Sequence, residues 1–227
     1  DAEGKEIIRR AENDAYSFAE VFSLGNTYNN ETWANRHIEM VKALALVDTD
    51  AISKCNFTVA VDGINSVGGE IIPMLLRSLG VNNIIEINCE STGNFAHTPE
   101  PIPQNLTQIS DVMRKTGADV GFVVDPDGDR LAIVMENGEM FVEENTLVAI
   151  ADYVLSHTPG ATVSNLSSSR GLRDVTRSHG CEYSAAAVGE VNVVTKMKEV
   201  CAIIGGEGNG GIIYPELHYG RDALVGV

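Results

Sequence analysis

Residues 123–134 read VVDPDGDRLAIV, with Asp125, Asp127 and Asp129 at every second position between two apolar runs. In an extended loop alternate side chains point the same way, so the three carboxylates are expected to converge. Three ionised carboxylates at one point need a cation, and hard oxygen donors suit Mg2+, which keeps positions open for water or a phosphate oxygen. Pro126 and Gly128 fit a stiff, tight loop, and Arg130 is placed to clamp an anion beside the ion. An EF-hand loop is a poor fit. Its sixth position requires Gly and holds Arg130 here, and its flanks should be helices rather than strands. A DxD loop of a nucleotide-sugar glycosyltransferase uses the same chemistry and stays open, as does a solvated acidic turn.

A second cluster, GGEGNGGIIY, spans residues 205–214. Gly206, Gly208 and Gly211 formally match GxGxxG, but a dinucleotide site needs a helix next, and IIYP is strand-like and then broken by Pro215. The remaining readings are a plain hairpin turn, signalled by Asn209-Gly210, or a tight loop presenting Glu207 and Asn209 to vicinal sugar hydroxyls.

These loops need elements to hold them. GKEIIRRAEN and WANRHIEMVKALAL carry apolar residues at helical spacing. From residue 57 the pattern alternates: strand FTVAV, a glycine-rich turn, helix EIIPMLLRSLG closed by Gly80, strand 84–87, helix NLTQISDVMRKTG, strand VGFVV, strand LAIVM. A second series follows the turn at Asn137-Gly138: helix ENTLVAIADYVLS, strand TVSNL, helix SRGLRDVTRSHG, strand YSAAA, helix VNVVTKMKEV and strand AIIGG. The rhythm predicts an α/β fold of two consecutive mixed or mostly parallel sheet domains with flanking helices.

The chain has 227 residues, 16 basic and 32 acidic, for a net charge of −16. That surface argues against nucleic-acid and anionic-membrane partners, and no apolar run is long enough to span a bilayer. Cys55, Cys89, Cys181 and Cys201 are scattered without a CxxC pair, so they are expected to be buried free thiols in a reducing, cytoplasmic setting. The chain starts without Met and stops in an apolar stretch, which is expected of a piece of something longer.

VDPDGDR and GEGNGG, in this order and separation, resemble the metal loop and the sugar loop of the α-D-phosphohexomutases, the family of phosphoglucomutase, phosphomannomutase and phosphoglucosamine mutase. VAVDGINSVGG, GNFAHTPEP and AVGEVNV resemble further family segments. The resemblance implies a phosphohexomutase-like fold with residues 1–50 as the helical tail of the first domain. Residues 51–138 would be the second domain with the metal loop, and 139–227 a truncated third with the sugar loop. It implies 1-phosphate/6-phosphate interconversion of a hexose phosphate through a hexose 1,6-bisphosphate. Mg2+ would sit on Asp125, Asp127 and Asp129, with Arg130 on the transferring oxygens and Glu207 and Asn209 on the sugar.

The family's catalytic phosphoserine lies in a TASHNP-type loop that this sequence lacks, so the chain is expected to need the remaining domains of a parent mutase and to be inactive alone. Ser156-His157 reads as an ordinary helix end. Several positions depart from the family pattern: Asn209 stands for its serine, Gly211 for its histidine, and Ser167 for a lysine some members carry. Glu190 occupies a place held elsewhere by His or Asp and is a candidate proton-transfer residue, with a helix-start acid as the plainer reading. His97 and Arg170 are candidate substrate contacts. A non-catalytic sugar-phosphate binding module is the remaining alternative.

Overall fold

The computed structural model describes residues 2–227. An N-terminal unit ends at Trp33. It contains helix α1 (Ala2–Glu12) and a 3-10 turn (Val21–Ser23), neither with a buried residue. On α1, Glu6 pairs with Arg9 at 2.7 Å and Arg10 at 2.8 Å, the i,i+3 and i,i+4 spacings that bring side chains together on a helix.

Residues 34–227 form the second unit. Helices α2 (Trp33–Lys42) and α3 (Thr49–Cys55) lead into β1 (Thr58–Asp62), α4 (Gly68–Ser78), β2 (Asn83–Ile87), α5 (Thr107–Thr116), β3 (Val120–Val124), β4 (Leu131–Met135) and β5 (Met140–Phe141). The strands order as β2-β1-β3-β4-β5, with the first three parallel and β4 and β5 antiparallel. The chain continues with α6 (Glu143–His157), β6 (Thr162–Asn165), α7 (Gly171–Ser178), β7 (Tyr183–Ala186), α8 (Glu190–Val200), β8 (Ile204–Glu207) and β9 (Gly211–Ile213). Its sheet runs β7-β6-β8-β9, and only β9 is antiparallel.

Each sheet is covered on both faces, as the period-two alternation requires. Val59, Val61, Phe122 and Val124 face α2 and α4 through Ile38, Val41, Ile72 and Leu75. Their neighbours Ala60 and Val123 face Ile109 and Met113 of α5. In the second sheet Ile204 and Ile212 pack on Leu147 and Ala151 of α6, while Val163 and Ile213 pack on Val193 and Met197 of α8.

Three expectations change. Helix α3 is additional: the Asp48 side chain accepts from the Ala51 amide at 2.8 Å and caps it. Strand β5 is additional too, and it carries the first sheet past the Asn137-Gly138 turn to Phe141. The cysteines are free but not buried. Cys55 and Cys201 are exposed and Cys89 and Cys181 half-buried, because Cys55 ends a helix with no buried face and Cys201 is a left-handed helix cap. Among the described residues no helix is long and apolar enough to cross a membrane.

Candidate functional site

In both sheets the last parallel strand turns back through a hairpin into an antiparallel neighbour, and the two singled-out loops are these hairpins. Val124 pairs with Leu131, leaving 125–130 as the first turn, and Glu207 pairs with Gly211, leaving 208–210 as the second. Both lie at the C-terminal ends of parallel strands, where α/β folds gather ligands. The second loop is therefore a hairpin turn and a candidate binding loop at once.

The first loop is a tight turn, not the extended segment expected from alternation. Gly128, at φ +70°, donates its N–H to the Asp125 carbonyl at 3.1 Å. Asp125 is 1% exposed and organises the turn, with Oδ1 accepting from the Asp129 and Arg130 amides at 3.0 Å each and Oδ2 from Arg130 Nε at 2.6 Å. The turn still gathers the carboxylates: one oxygen each from Asp125, Asp127 and Asp129 lie within 4.8 Å of one another. Burial is the largest single influence and works to raise the Asp125 pKa, but the hydrogen bonds from the Arg130 side chain and amide and from Asp129, with the Arg130 charge, together outweigh it and hold the carboxyl below its ordinary range. For Asp129 burial and the adjacent Asp125 win over Arg221, and its pKa is pushed up to about 7. Negative charge is in excess at this turn, and three hard oxygen donors at this spacing fit a divalent ion such as Mg2+.

Glu207 closes β8 and is 5% exposed. It accepts from Asn165 Nδ2 at 2.6 Å, the Gly189 amide at 3.3 Å and Arg221 Nη1 at 2.8 Å. Asn209 Oδ1 accepts from the Gly211 amide at 3.2 Å, and Ser168 Oγ accepts from the Gly208 amide at 2.9 Å. The two hairpins touch directly: the Leu131 amide donates to the Gly210 carbonyl at 3.0 Å, and Arg130 and Gly211 form an antiparallel bridge. Only glycine suits position 210, since its φ is +89° and a Cβ there would stand 2.3 Å from the Leu131 carbonyl oxygen.

Glu190 is the first residue of α8, and its Oε1 accepts from the Arg221 amide at 3.0 Å. His97 is not brought into this cluster. Its Nε2 bonds Asp62 Oδ2 at 3.1 Å and its Nδ1 the Thr98 carbonyl at 2.9 Å, because the fully buried Asp62 carboxylate needs donors. Arg170 stands exposed at the start of α7, two residues beyond Ser168. Ser167 Oγ donates to Asn165 Oδ1 at 3.0 Å, inside the network behind Glu207. Ser156 and His157 end α6, bonded to the Tyr153 carbonyl at 2.7 and 2.9 Å, as a plain helix end should be.

Two groups were not anticipated. Arg221 pairs with Asp129 and Glu207, and so joins the hairpins. Beside it, Asp222 Oδ2 is shared by His37 Nε2 at 2.8 Å and His218 Nε2 at 3.0 Å. Their signal is an Arg-Asp pair set in an otherwise apolar segment, since buried charges occur where partners await them. A cavity of about 420 Å³ lies alongside, lined by Val67, Glu70, Asp127, Gly128, His218 and Arg221 among others.

Comparison with known proteins agrees with this arrangement. The family model for the phosphoglucomutase/phosphomannomutase α/β/α domain II matches residues 35–138, and that for domain III matches 143–227. A phosphoglucomutase/phosphomannomutase of Thermococcus kodakarensis is 35% identical over 83% of this chain and 41% of its own length. A probable phosphoglucosamine mutase of Methanopyrus kandleri is 31% identical over 86% of this chain and 42% of its own length. The solved structure of a phosphoglucomutase/phosphomannomutase family protein from Burkholderia thailandensis superposes with a TM-score of 0.81 at 26% identity, over 100% of this chain and 48% of that one. The chain thus spans less than half the length of these relatives. With both matched segments together accounting for most of the sequence, the chain belongs to the phosphoglucomutase/phosphomannomutase family.

Proposed function

We propose that this chain supplies the metal-binding and sugar-binding parts of a Mg2+-dependent phosphohexomutase that interconverts the 1- and 6-phosphates of a hexose through a bisphosphate. The relatives carry the names of glucose, mannose and glucosamine phosphate mutases, so the substrate is a hexose phosphate of that group. Residues 1–50 are read as the end of a first domain, 51–138 as the second and 139–227 as the third, with the match to domain II reaching back to residue 35. The observation that carries the reading is the direct hydrogen bonding of the two hairpins, which sets the carboxylate cluster and the Glu207–Asn209 turn on one rim.

In this reading Asp125, Asp127 and Asp129 hold the ion, which when bound offsets charge on the transferring phosphoryl group. Asp125 also fixes the turn, so the other two carboxylates keep their aim without further ordering. Arg130, held through Nε by Asp125, directs the rest of its guanidinium to phosphoryl oxygens. Glu207 is held in place by Asn165 and Arg221 and meets sugar hydroxyls as an acceptor, and Asn209 adds an amide beside it. Glu190 serves as a positioning residue, since its carboxylate fixes the Arg221 backbone. His97 and Arg170 are peripheral contacts at most. The phosphoserine implied by the family resemblance comes from a domain outside this chain.

The test is a pair of binding titrations on the 227-residue chain: glucose 1,6-bisphosphate with Mg2+, and a UDP-sugar with Mn2+. Binding of the bisphosphate that depends on Mg2+ is expected. Binding of the UDP-sugar instead would overturn the mutase reading in favour of a glycosyltransferase, and mutase turnover by this chain alone would contradict the missing-serine part.

A further inference from the structure

Arg221 is fixed at its backbone and strained for partners at its tip. The backbone bridges Ile213, and its amide is held by Glu190 Oε1 at 3.0 Å. The next residue is anchored in turn, with Asp222 bonded by His37, His218 and the Leu224 amide. The guanidinium, only 18% exposed, gives Nη2 to Asp129 and Nη1 to Glu207. Its Nε–H is buried and makes no hydrogen bond. The Glu190 Oε2 oxygen stands 3.5 Å from that nitrogen, short of hydrogen-bonding reach. Leaving a buried donor unmade is costly, so the contact with Asp129 is held at the expense of the one with Glu190. A small shift of the tip toward Glu190 would satisfy Nε–H and release Asp129.

We infer that Arg221 is a two-position counter-ion: it neutralises Asp129 while the aspartate turn lacks a divalent cation, and it passes to Glu190 and Glu207 when a cation takes the Asp129 oxygen. This rests on the reading of Asp125, Asp127 and Asp129 as a cation site. The consequence is a coupling. Guanidinium and cation compete for one carboxylate oxygen, and the displaced charge moves onto the carboxylate that faces the sugar hydroxyls. By linkage, a ligand that draws Arg221 to the sugar hairpin strengthens cation binding by the same factor.

The experiment is Mg2+ calorimetry on the wild-type chain, Arg221→Gln and Arg221→Lys, with thermal unfolding of each in the presence and absence of Mg2+. Removing a unit charge a few ångströms from a partly solvated ion site should tighten Mg2+ binding about three- to tenfold in Arg221→Gln. The same variant should melt lower than wild type without Mg2+ and gain more on its addition. Arg221→Lys, which keeps the charge, should titrate like wild type. Equal or weaker Mg2+ binding by folded Arg221→Gln would overturn the inference and leave the cation site standing. Absence of Mg2+ binding by folded wild type would overturn both. A readout that needs no variant is the Arg221 Nε–H resonance of the wild-type chain. It should gain protection from solvent exchange on addition of Mg2+, and an unchanged resonance would contradict the inference.

Discussion

At the scale of single residues, the aspartate turn works because its members do different things. Asp125 spends its oxygens on the loop's own amides and on Arg130, whereas Asp129 is left with excess negative charge and a pKa near 7. A carboxyl whose folded pKa is raised adds stability that is present below its unfolded value and lost as pH rises through the folded one. Without Mg2+ the melting temperature should therefore fall between about pH 4 and pH 7. Asp129→Asn should flatten that slope, and Mg2+ should offset it in wild type; a thermal scan across pH checks all three.

A second titration runs beside it. The hydrogen bond from His37 to Asp222 raises the His37 pKa, so this link supports folding fully below about pH 6.5 and fades as pH climbs through the higher folded value. NMR titration should place the His37 midpoint above that of an ordinary histidine, and Asp222→Asn should bring it down. The convergence of the three aspartates is legible from spacing, because Asp, Pro and Gly at these intervals constrain both turn and charge. Arg221 and Asp222 show only as charges in an apolar segment, and that pattern names no partner: His37, which bonds Asp222, lies 185 positions away. The bond from His97 to Asp62, 35 positions earlier, is equally without a local trace.

At the scale of elements, the sheets and helices follow from hydrophobic period, and the sequence pattern locates most of them closely. What it hides is strand direction. LAIVM and GII read as strands either way, and only the short turns before them show that β4 and β9 run back antiparallel. Short elements also escape it: β5 has two residues, too few to display alternation. The antiparallel returns matter because they make the two candidate loops tight hairpins braced against one another. Gly210→Ala should break that brace by combining an unfavourable φ with a clash on Leu131. We expect a stability loss of about 1–3 kcal/mol in urea unfolding and weaker bisphosphate binding. Leu131→Ala, which empties a fully buried position at the base of the first hairpin, should cost about 2–5 kcal/mol by the same measurement.

At the scale of the whole molecule, a chain of net charge −16 is expected to bind an anionic sugar phosphate only where the local field is reversed. In the proposed function Arg130 and Arg221 would provide part of that reversal and a divalent ion the rest, so cation and substrate binding would belong together. The most direct test of the account is calorimetric titration of Mg2+ into the wild-type chain and into Asp127→Asn, which alters the exposed carboxylate and leaves the Asp125 scaffold of the turn in place. One ion per wild-type chain, with affinity at least tenfold weaker in a folded Asp127→Asn, is the predicted result. Equal affinity in the two chains, or no saturable uptake by wild type, would contradict the assignment of the aspartate turn as the metal site.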